Sequence, residues 1–394
     1  MMQSLFLRKG ADRRLRGGHL WVYSNEIDTQ RSPLSAFSAG DLVAVVNASG
    51  TQIASAYMEP NTLICARVYA PGQLCEFDSG FIDSQLKRAL SLRERHYEGR
   101  SYRLVYGDSD GLPGLVVDRY GDALVVQLNN AGLERYQAMI VDCLVRVTSP
   151  TGVLLRLDSR QRKEQGLPVV SEVVYGQVPE KVPFVENGVR FLAPVHNGQK
   201  TGWFYDHRNS RGRLKAWVAQ KSVLDVYSYI GGWGVQAAAF GAQSVCCVDS
   251  SADALAGVME NAELNGVSQK LETVRGSAAE SMAAMISEGR QFDVVILDPP
   301  AFITRRKDLK KGIAAYRRIN ELGLKLLSPG GLLVSASCSM HLPRADLISA
   351  IGQAAARVNV PLRIVEQGGQ GADHPIHPVI PETEYLKAVF AVRD

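Results

Sequence analysis

The chain has 394 residues, 46% of them hydrophobic and 21% charged, and its 44 Lys and Arg against 40 Asp and Glu leave a formal net charge of only +4. That length exceeds one ordinary core, so two or three domains are expected, and the near-neutral balance means that nucleic-acid binding has to come from local patches rather than a global field. Six scattered cysteines (Cys65, Cys75, Cys143, Cys246, Cys247 and Cys338) form no CxxC pair and have no histidine at zinc spacing, so reduced thiols and no metal are expected. No run approaches the roughly 20 apolar residues of a membrane span. The basic segment from Met1 to Gly18 lacks the apolar centre of a signal peptide, so the expectation is a cytoplasmic protein with no membrane contact.

In chain order, Leu5 to about Tyr69 reads as a small β-rich module. Leu42 to Val46 and Gln52 to Tyr57 flank an Asn/Ser/Gly turn, the pattern of a hairpin. Ahead of it, Arg8, Lys9, Arg13, Arg14 and Arg16 gather near His19, Trp21 and Tyr23, a mixture suited to phosphate neutralisation and base stacking, although a solvated edge with one buried Trp gives the same composition. After Pro71-Gly72 an amphipathic helix is predicted from Phe81 to Tyr97. Strands follow at Tyr102–Tyr106, Leu115–Asp118 and Ala123–Leu128, then a helix from Leu133 to Arg146 and a strand at Val153–Leu157. Nothing in this α+β stretch has catalytic spacing, and it reads as a scaffold ending near Pro183.

From Phe184 strands alternate with helices. Strands are placed at Ser222–Val226, Ser244–Asp249, Leu271–Arg275, Phe292–Asp298, Leu332–Ser337, Leu362–Glu366 and Tyr385–Val392, with Ser250 or Ser251 capping the helix that ends near Asn265. The pattern predicts a doubly wound α/β sheet. Its first strand runs into Tyr227-Ser228-Tyr229-Ile230-Gly231-Gly232-Trp233-Gly234, a glycine turn that lets backbone N–H groups approach a ligand but does not match the dinucleotide GxGxxG fingerprint. Asp249 ends the next strand, where a carboxylate can take two ribose hydroxyls. The fourth strand ends in Asp298-Pro299-Pro300, whose prolines hold Asp298 extended. The fifth ends in Ser337-Cys338-Ser339, and if the two strands are neighbours Asp298 and Cys338 share one edge.

These segments, with Ala301-Phe302, resemble the motifs of the class I S-adenosylmethionine-dependent methyltransferases. Together with Gly198-Gln199-Lys200-Thr201-Gly202-Trp203-Phe204-Tyr205-Asp206-His207-Arg208, Asn261, Asn265-Gly266 and Ala372-Asp373-His374-Pro375, they resemble over essentially the whole chain the bacterial ribosomal RNA large-subunit methyltransferase I family, which makes 5-methylcytosine. The resemblance implies a PUA RNA-binding domain at 1–72, an α+β middle domain at 73–183 and a Rossmann-like methyltransferase domain at 184–394. It implies S-adenosylmethionine as cofactor, with Lys200 and Thr201 closing the site, Tyr227, Ser228 and Gly231 bordering the methionine part, Asp249 on the ribose, and Asp225, Asp298 and Pro299 completing the lining. Where relatives carry an Asp for adenine this chain has Gly276-Ser277, and Ser277 or a backbone N–H is the substitute expected.

It also implies Cys338 as a nucleophile that adds to C6 of cytosine, since C5 alone is a poor nucleophile. Asp298 would read and polarise the base. Arg305, Arg306, Lys307, Lys310 and Lys311 could supply the positive field that favours a thiolate, and Arg8, Lys9, Arg13, Arg14, Arg305, Arg306 and Lys307 are the expected phosphate contacts. The partner expected is ribosomal RNA, with a second copy of the chain as a further candidate. Two other readings fit the same residues: a base-N RNA methyltransferase, which needs no thiol, and a non-catalytic RNA-binding ribosome-assembly factor.

Overall fold

The computed structural model describes residues 2–159, 162, 163 and 165–394. Its first sheet is made of β1 (Gln3–Phe6), β2 (Trp21–Tyr23), β3 (Leu42–Val46), β4 (Gln52–Met58) and β5 (Ile64–Pro71), in the order β1-β3-β4-β5-β2. Strands β3 and β4 are the expected hairpin, with Leu42 opposite Tyr57. The Asn47 side-chain oxygen accepts from the Thr51 N–H at 2.8 Å and closes the turn.

Helix α1 (Ser79–His96) starts at Asp78, whose carboxylate accepts from the Phe81 N–H at 2.8 Å. A second sheet follows, with β6 (Ser101–Tyr106), β7 (Leu115–Tyr120), β8 (Ala123–Leu128), β9 (Gly152–Leu157) and β10 (Val170–Gly176) in the order β10-β9-β8-β7-β6. The helix expected over Leu133 to Arg146 is broken into a turn, Ala131–Glu134, and α2 (Gln137–Thr148). Both residues at the break reach the entrance of β3: the Tyr136 hydroxyl donates to Gly40 O at 2.6 Å, and Arg135 pairs with Asp41 at 2.8 Å. Strand β10 was not expected, because it is an edge strand with no buried alternate face to produce a period-two pattern.

The second half opens with the hairpin β11 (Val182–Glu186) and β12 (Val189–Ala193), turned by Asn187 and Gly188 at φ +52° and +81°. Then come β13 (Ser222–Val226), α3 (Gly234–Ala239), β14 (Ser244–Asp249), α4 (Ala252–Leu264), β15 (Leu271–Arg275), α5 (Ala278–Ser287), β16 (Phe292–Leu297), α6 (Leu309–Leu326), β17 (Leu327–Ser337), α7 (Arg344–Arg357), β18 (Leu362–Gly368) and β19 (Lys387–Arg393). The sheet order is β15-β14-β13-β16-β17-β19-β18, parallel from β15 to β17, with β19 antiparallel to both neighbours. The Ser251 hydroxyl caps α4 by accepting from the Ala254 N–H at 3.2 Å.

Buried apolar residues from the strands, among them Leu224, Val226, Val295, Leu297 and Leu333, pack with Tyr316, Leu324, Leu347 and Ile351 from α6 and α7. Each such side chain contributes about 1.5–3 kcal/mol relative to exposure. Strand order reverses direction at β13, between β14 and β16, the position where an open α/β sheet forms its ligand crevice.

By packing, the chain falls into two units: Met1–Val182 with Ala193–Tyr205 and Ala372–Thr383, and Pro183–Leu192 with Asp206–Gly371 and Glu384–Asp394. Among the described residues no helix is long and apolar enough to cross a membrane.

Candidate active site

The turn after β13 is strained by design of its sequence. Tyr227 and Tyr229 adopt φ of +68° and +49°, and Gly231 adopts +87°. Left-handed conformations at non-glycine residues cost of order 1–3 kcal/mol each and cluster at ligand sites. A methyl group on Gly231 would meet Val235 Cγ2 at 2.6 Å, and one on Gly234 would meet Cys247 Sγ at 2.5 Å and Asp225 Oδ2 at 3.0 Å, so both positions require glycine.

Asp225 is completely buried, and its Oδ2 accepts from the Gly234 N–H at 2.8 Å. Among the described residues its Oδ1 has no partner, nor has the hydroxyl of the nearly buried Ser228. Burial pushes the Asp225 carboxyl up to about 7, with the negative Asp298 and Asp249 adding to the effect. An unpartnered acceptor and an unpartnered hydroxyl beside a glycine cradle suit the ammonium and carboxylate of an amino-acid cofactor such as the methionine part of S-adenosylmethionine.

Asp249, at the end of β14, is braced on both oxygens: Oδ2 accepts from the Tyr229 N–H and Oδ1 from the Ser251 N–H, each at 2.9 Å. The remaining lone pairs can accept from two vicinal hydroxyls. Ser277 is the N-cap of α5; its hydroxyl donates to Glu280 Oε2 at 2.7 Å and accepts from the Glu280 N–H at 3.3 Å. That hydroxyl is therefore already engaged in the cap.

Strands β16 and β17 are adjacent and parallel, with Leu297 opposite Ser335, so Asp298 and Cys338 leave the sheet at the same edge. The Asp298 carboxylate accepts from Trp233 Nε1–H at 2.9 Å and lies 3.2 Å from His207 Nε2. Burial opposes its ionisation, but the His207 charge and the indole hydrogen bond outweigh burial and hold the carboxyl below the usual range. Burial likewise disfavours protonation of His207, and the charge of Asp298 reverses this and raises the imidazole above its ordinary value.

The helix turn that carries His207 is anchored by buried Glu186. That carboxylate takes Arg211 at 2.6 and 3.0 Å and Gln236 Nε2 at 2.9 Å, while Asn187 donates to Arg208 O at 2.9 Å. His207 and Trp233 were not singled out from sequence. Trp233 stood inside the glycine turn and His207 in the Tyr205–Arg208 run, but their meeting at Asp298 is set by tertiary structure.

Cys338 is half-buried on the turn after β17. Its neighbours form a buried clamp with Tyr316 of α6: the Ser337 hydroxyl donates to the Tyr316 oxygen at 2.8 Å, and the Tyr316 and Ser339 hydroxyls are bonded at 2.9 Å. The Ser339 N–H donates to Ser337 Oγ at 3.1 Å and the Ile303 N–H to Ser339 Oγ at 3.3 Å. Lys387 Nζ, from the start of β19, donates to Ser339 O at 2.8 Å. Tyr316 and Lys387 were also missed, because neither stands in a motif of its own.

The basic candidates divide by environment. Arg305, Arg306 and Lys307 are exposed just ahead of α6, with Arg305 paired to Asp308 at 3.1 Å. Lys9 and Arg13 are exposed, and Arg8 is exposed with its Nε donating to Ile27 O at 2.9 Å. Arg14 is built into the fold: it pairs with Glu26 at 2.7 Å, donates to Trp21 O at 3.0 Å and lies over the Tyr23 ring at 4.4 Å.

Lys200 and Thr201 belong to the first unit and the other cofactor candidates to the second. Lys200 is exposed with φ +49° and its Nζ 4.7 Å from the Phe204 ring centroid. Thr201 is fully buried, its hydroxyl donating to Asp118 at 2.5 Å. His374 is buried in the same unit, 3.0 Å from Asp373, which also accepts from the Tyr97 hydroxyl at 3.2 Å. Pro299 is buried and Pro300 exposed.

A family model described as S-adenosylmethionine-dependent methyltransferase matches residues 111–388, and one described as PUA-like domain matches residues 5–71. Ribosomal RNA large subunit methyltransferase I of Klebsiella pneumoniae (strain 342) is 35% identical over 403 residues, covering 100% of both chains. The protein of the same name from Salmonella enteritidis PT4 is 35% identical over 395 residues, covering 99% of this chain and 97% of its own. Among solved structures, a Streptococcus mutans chain described as a SAM-dependent methyltransferase superposes with a TM-score of 0.84 at 21% identity, covering 99% of this chain and 100% of that one. A methyltransferase complexed with SAH superposes with a TM-score of 0.85 at 20% identity and the same coverage. With S-adenosylmethionine as its cofactor, the chain belongs to the ribosomal RNA large subunit methyltransferase I family, a PUA-like domain preceding a Rossmann-like methyltransferase domain.

Proposed function

We propose that this chain transfers a methyl group from S-adenosylmethionine to C5 of a cytosine in large-subunit ribosomal RNA, with Cys338 as a covalent nucleophile. The substrate class is taken from the names of the Klebsiella and Salmonella relatives. The observation that carries the chemistry is a half-buried thiol on a clamped turn, at the same sheet edge as a carboxylate held ionised.

In this reading the Cys338 thiolate adds to C6 of the base and makes C5 an enamine-like carbon. Asp298, ionised and therefore an acceptor only, takes a hydrogen bond from the exocyclic amino group, which identifies the base as cytosine and orients it against Cys338. The bound sulfonium supplies an electrophilic methyl group, which the activated C5 accepts. Loss of the C5 proton to solvent water and elimination of the thiolate restore the ring and free Cys338.

Asp225 and Ser228 would meet the methionine part together with Tyr227 and Gly231, Asp249 the ribose hydroxyls, and Ser277 and Pro299 the adenine side. Arg8, Lys9, Arg13, Arg305, Arg306 and Lys307 would contact phosphates, with Arg14 holding the N-terminal arm in shape. The chain is divided for this purpose into an RNA-binding domain at 1–72, a scaffold at 73–183 and a catalytic domain at 184–394.

Cys338→Ala is expected to abolish methylation while calorimetric binding of S-adenosylhomocysteine survives. RNA containing 5-fluorocytosine, which cannot lose a C5 proton, should trap a covalent adduct with the unmodified protein and none with Cys338→Ala. A base-N methyltransferase would form no adduct and would stay active in the variant, and that result would replace the present reading.

A further inference from the structure

Lys387 opens β19 directly opposite Ser337 in the antiparallel ladder and is 4% exposed. Its Nζ is held between two main-chain carbonyls, Ser339 O at 2.8 Å and Tyr385 O at 3.0 Å. Ser339 is the residue after Cys338, so the ammonium is anchored to the turn that carries the thiol. Among the described residues no carboxylate lies within ion-pair distance of it.

Burial of an ammonium with only neutral acceptors is unfavourable unless an anion forms nearby. The charged and titratable groups that act on it are Glu384, Arg344 and Cys338. Burial pushes Lys387 down to about 8, Glu384 and Cys338 hold it up and Arg344 opposes them, so it keeps its proton at neutral pH. Tyr316, facing Cys338 from α6, has its phenol pushed up by burial and stays a neutral hydroxyl. The basic run at Arg305, Arg306 and Lys307 is exposed and its field is screened by salt, whereas a buried charge is screened far less.

We propose that Lys387 is a positioning residue for the reaction: anchored to the carbonyl after Cys338, its ammonium favours the thiolate and sets the fraction of Cys338 ready to add to the base. This rests on the reading of Cys338 as nucleophile, and its test is independent of RNA.

Iodoacetamide reacts with thiolate, so its rate against pH reports ionisation of the thiol. In the full chain carrying Cys75→Ser, which removes the other thiol that is not buried, alkylation of Cys338 located by peptide mass should be half-maximal below the about 8.5 of a free thiol. Lys387→Gln keeps an N–H donor for Ser339 O without the charge. It should move the midpoint up by about one unit and slow alkylation at pH 7 by about tenfold, and Lys387→Arg should restore both.

Equal midpoints in the Gln variant and its parent would overturn the proposal, as would a parent midpoint at or above about 8.5, which decides the matter even if the Gln variant does not fold. A low parent midpoint that Lys387→Gln raises, combined with full methylation by Cys338→Ala, would leave Lys387 as the thiol's counter-charge and remove only the nucleophile.

Discussion

After β13 the chain turns through two left-handed tyrosines around a buried carboxylate with one unpartnered oxygen. After β17 it turns through two serines whose hydroxyls, with that of Tyr316, are joined into one buried cluster. The two turns sit at the same edge of one sheet, yet the first stores strain and open hydrogen-bonding capacity while the second has both satisfied. Strain and unpartnered polar atoms are stable only if the surrounding fold enforces them, and they gain most when a ligand completes them. A closed cluster gains nothing from a ligand and instead fixes a side chain in place. The difference suits one turn to receiving a cofactor and the other to holding a reactive thiol still.

The largest effect expected from breaking this contrast is at Asp225. Its folded-state carboxyl is raised from 3.8 to about 7, chiefly by burial. A raised carboxyl contributes stability that is fully present below its unfolded value and is lost as pH rises through the folded one. The loss between pH ~4 and pH ~8 is on the order of 4 kcal/mol for the cofactor-free protein. Asp225→Asn removes the titration while keeping the shape. Denaturant unfolding at pH 5 and pH 8 should therefore show the variant gaining on the parent at the higher pH. Parallel behaviour would mean that the turn's open oxygen is not a source of instability.

Gly234→Ala comes next. The added methyl would press on Cys247 Sγ and Asp225 Oδ2 at 2.5 and 3.0 Å. Overpacking of this kind costs about 1–3 kcal/mol. It also displaces the carboxylate at the cradle, so calorimetry should show S-adenosylhomocysteine binding weakened by at least about tenfold, equivalent to ~1.4 kcal/mol. Alkylation of Cys338 should be unchanged, because the β17 turn has its own supports.

Much of the fold was legible because buried parallel strands appear as continuous apolar runs. Ser222–Val226 and Ser244–Asp249 are found at the expected residues, and the partly exposed edge strand Leu271–Arg275 is also found there, marked by its place in the strand and helix alternation rather than by an apolar run. Strand β17 starts at Leu327 rather than Leu332, since Ser328-Pro329-Gly330-Gly331 reads as a turn until the neighbouring strand is known to pair with Leu327. The Asn187-Gly188 hairpin has a strong local turn signal, but it is short and precedes the regular strand and helix alternation that dominates the pattern from Phe184. The glycine turn, Asp249, Asp298 and Cys338 could be picked out because each ends a strand. His207, Tyr316 and Lys387 could not, because their positions in sequence say nothing about which strand end they reach. The left-handed Tyr227 and Tyr229 were hidden for a further reason: tyrosine gives no local cue for positive φ.

Tyr316→Phe tests the other half of the contrast with the smallest expected effect on stability. The phenol oxygen joins Ser337 at 2.8 Å and Ser339 at 2.9 Å, and all three groups are buried. Removing one hydroxyl leaves two serines with a lost partner each, which costs about 1–2 kcal/mol. Phe keeps the ring against Phe302, whose centroid lies 4.8 Å away, so the core should persist. What changes is the stiffness of the turn beside Cys338. The expected result is a fall in kcat of about tenfold, since small misplacement of a reacting group is expensive, with S-adenosylhomocysteine affinity unaltered. Gly234→Ala should do the reverse, weakening cofactor binding while leaving thiol reactivity alone. If Tyr316→Phe instead weakened cofactor binding and left kcat untouched, the two turns would form one coupled structure and their division of labour would be wrong.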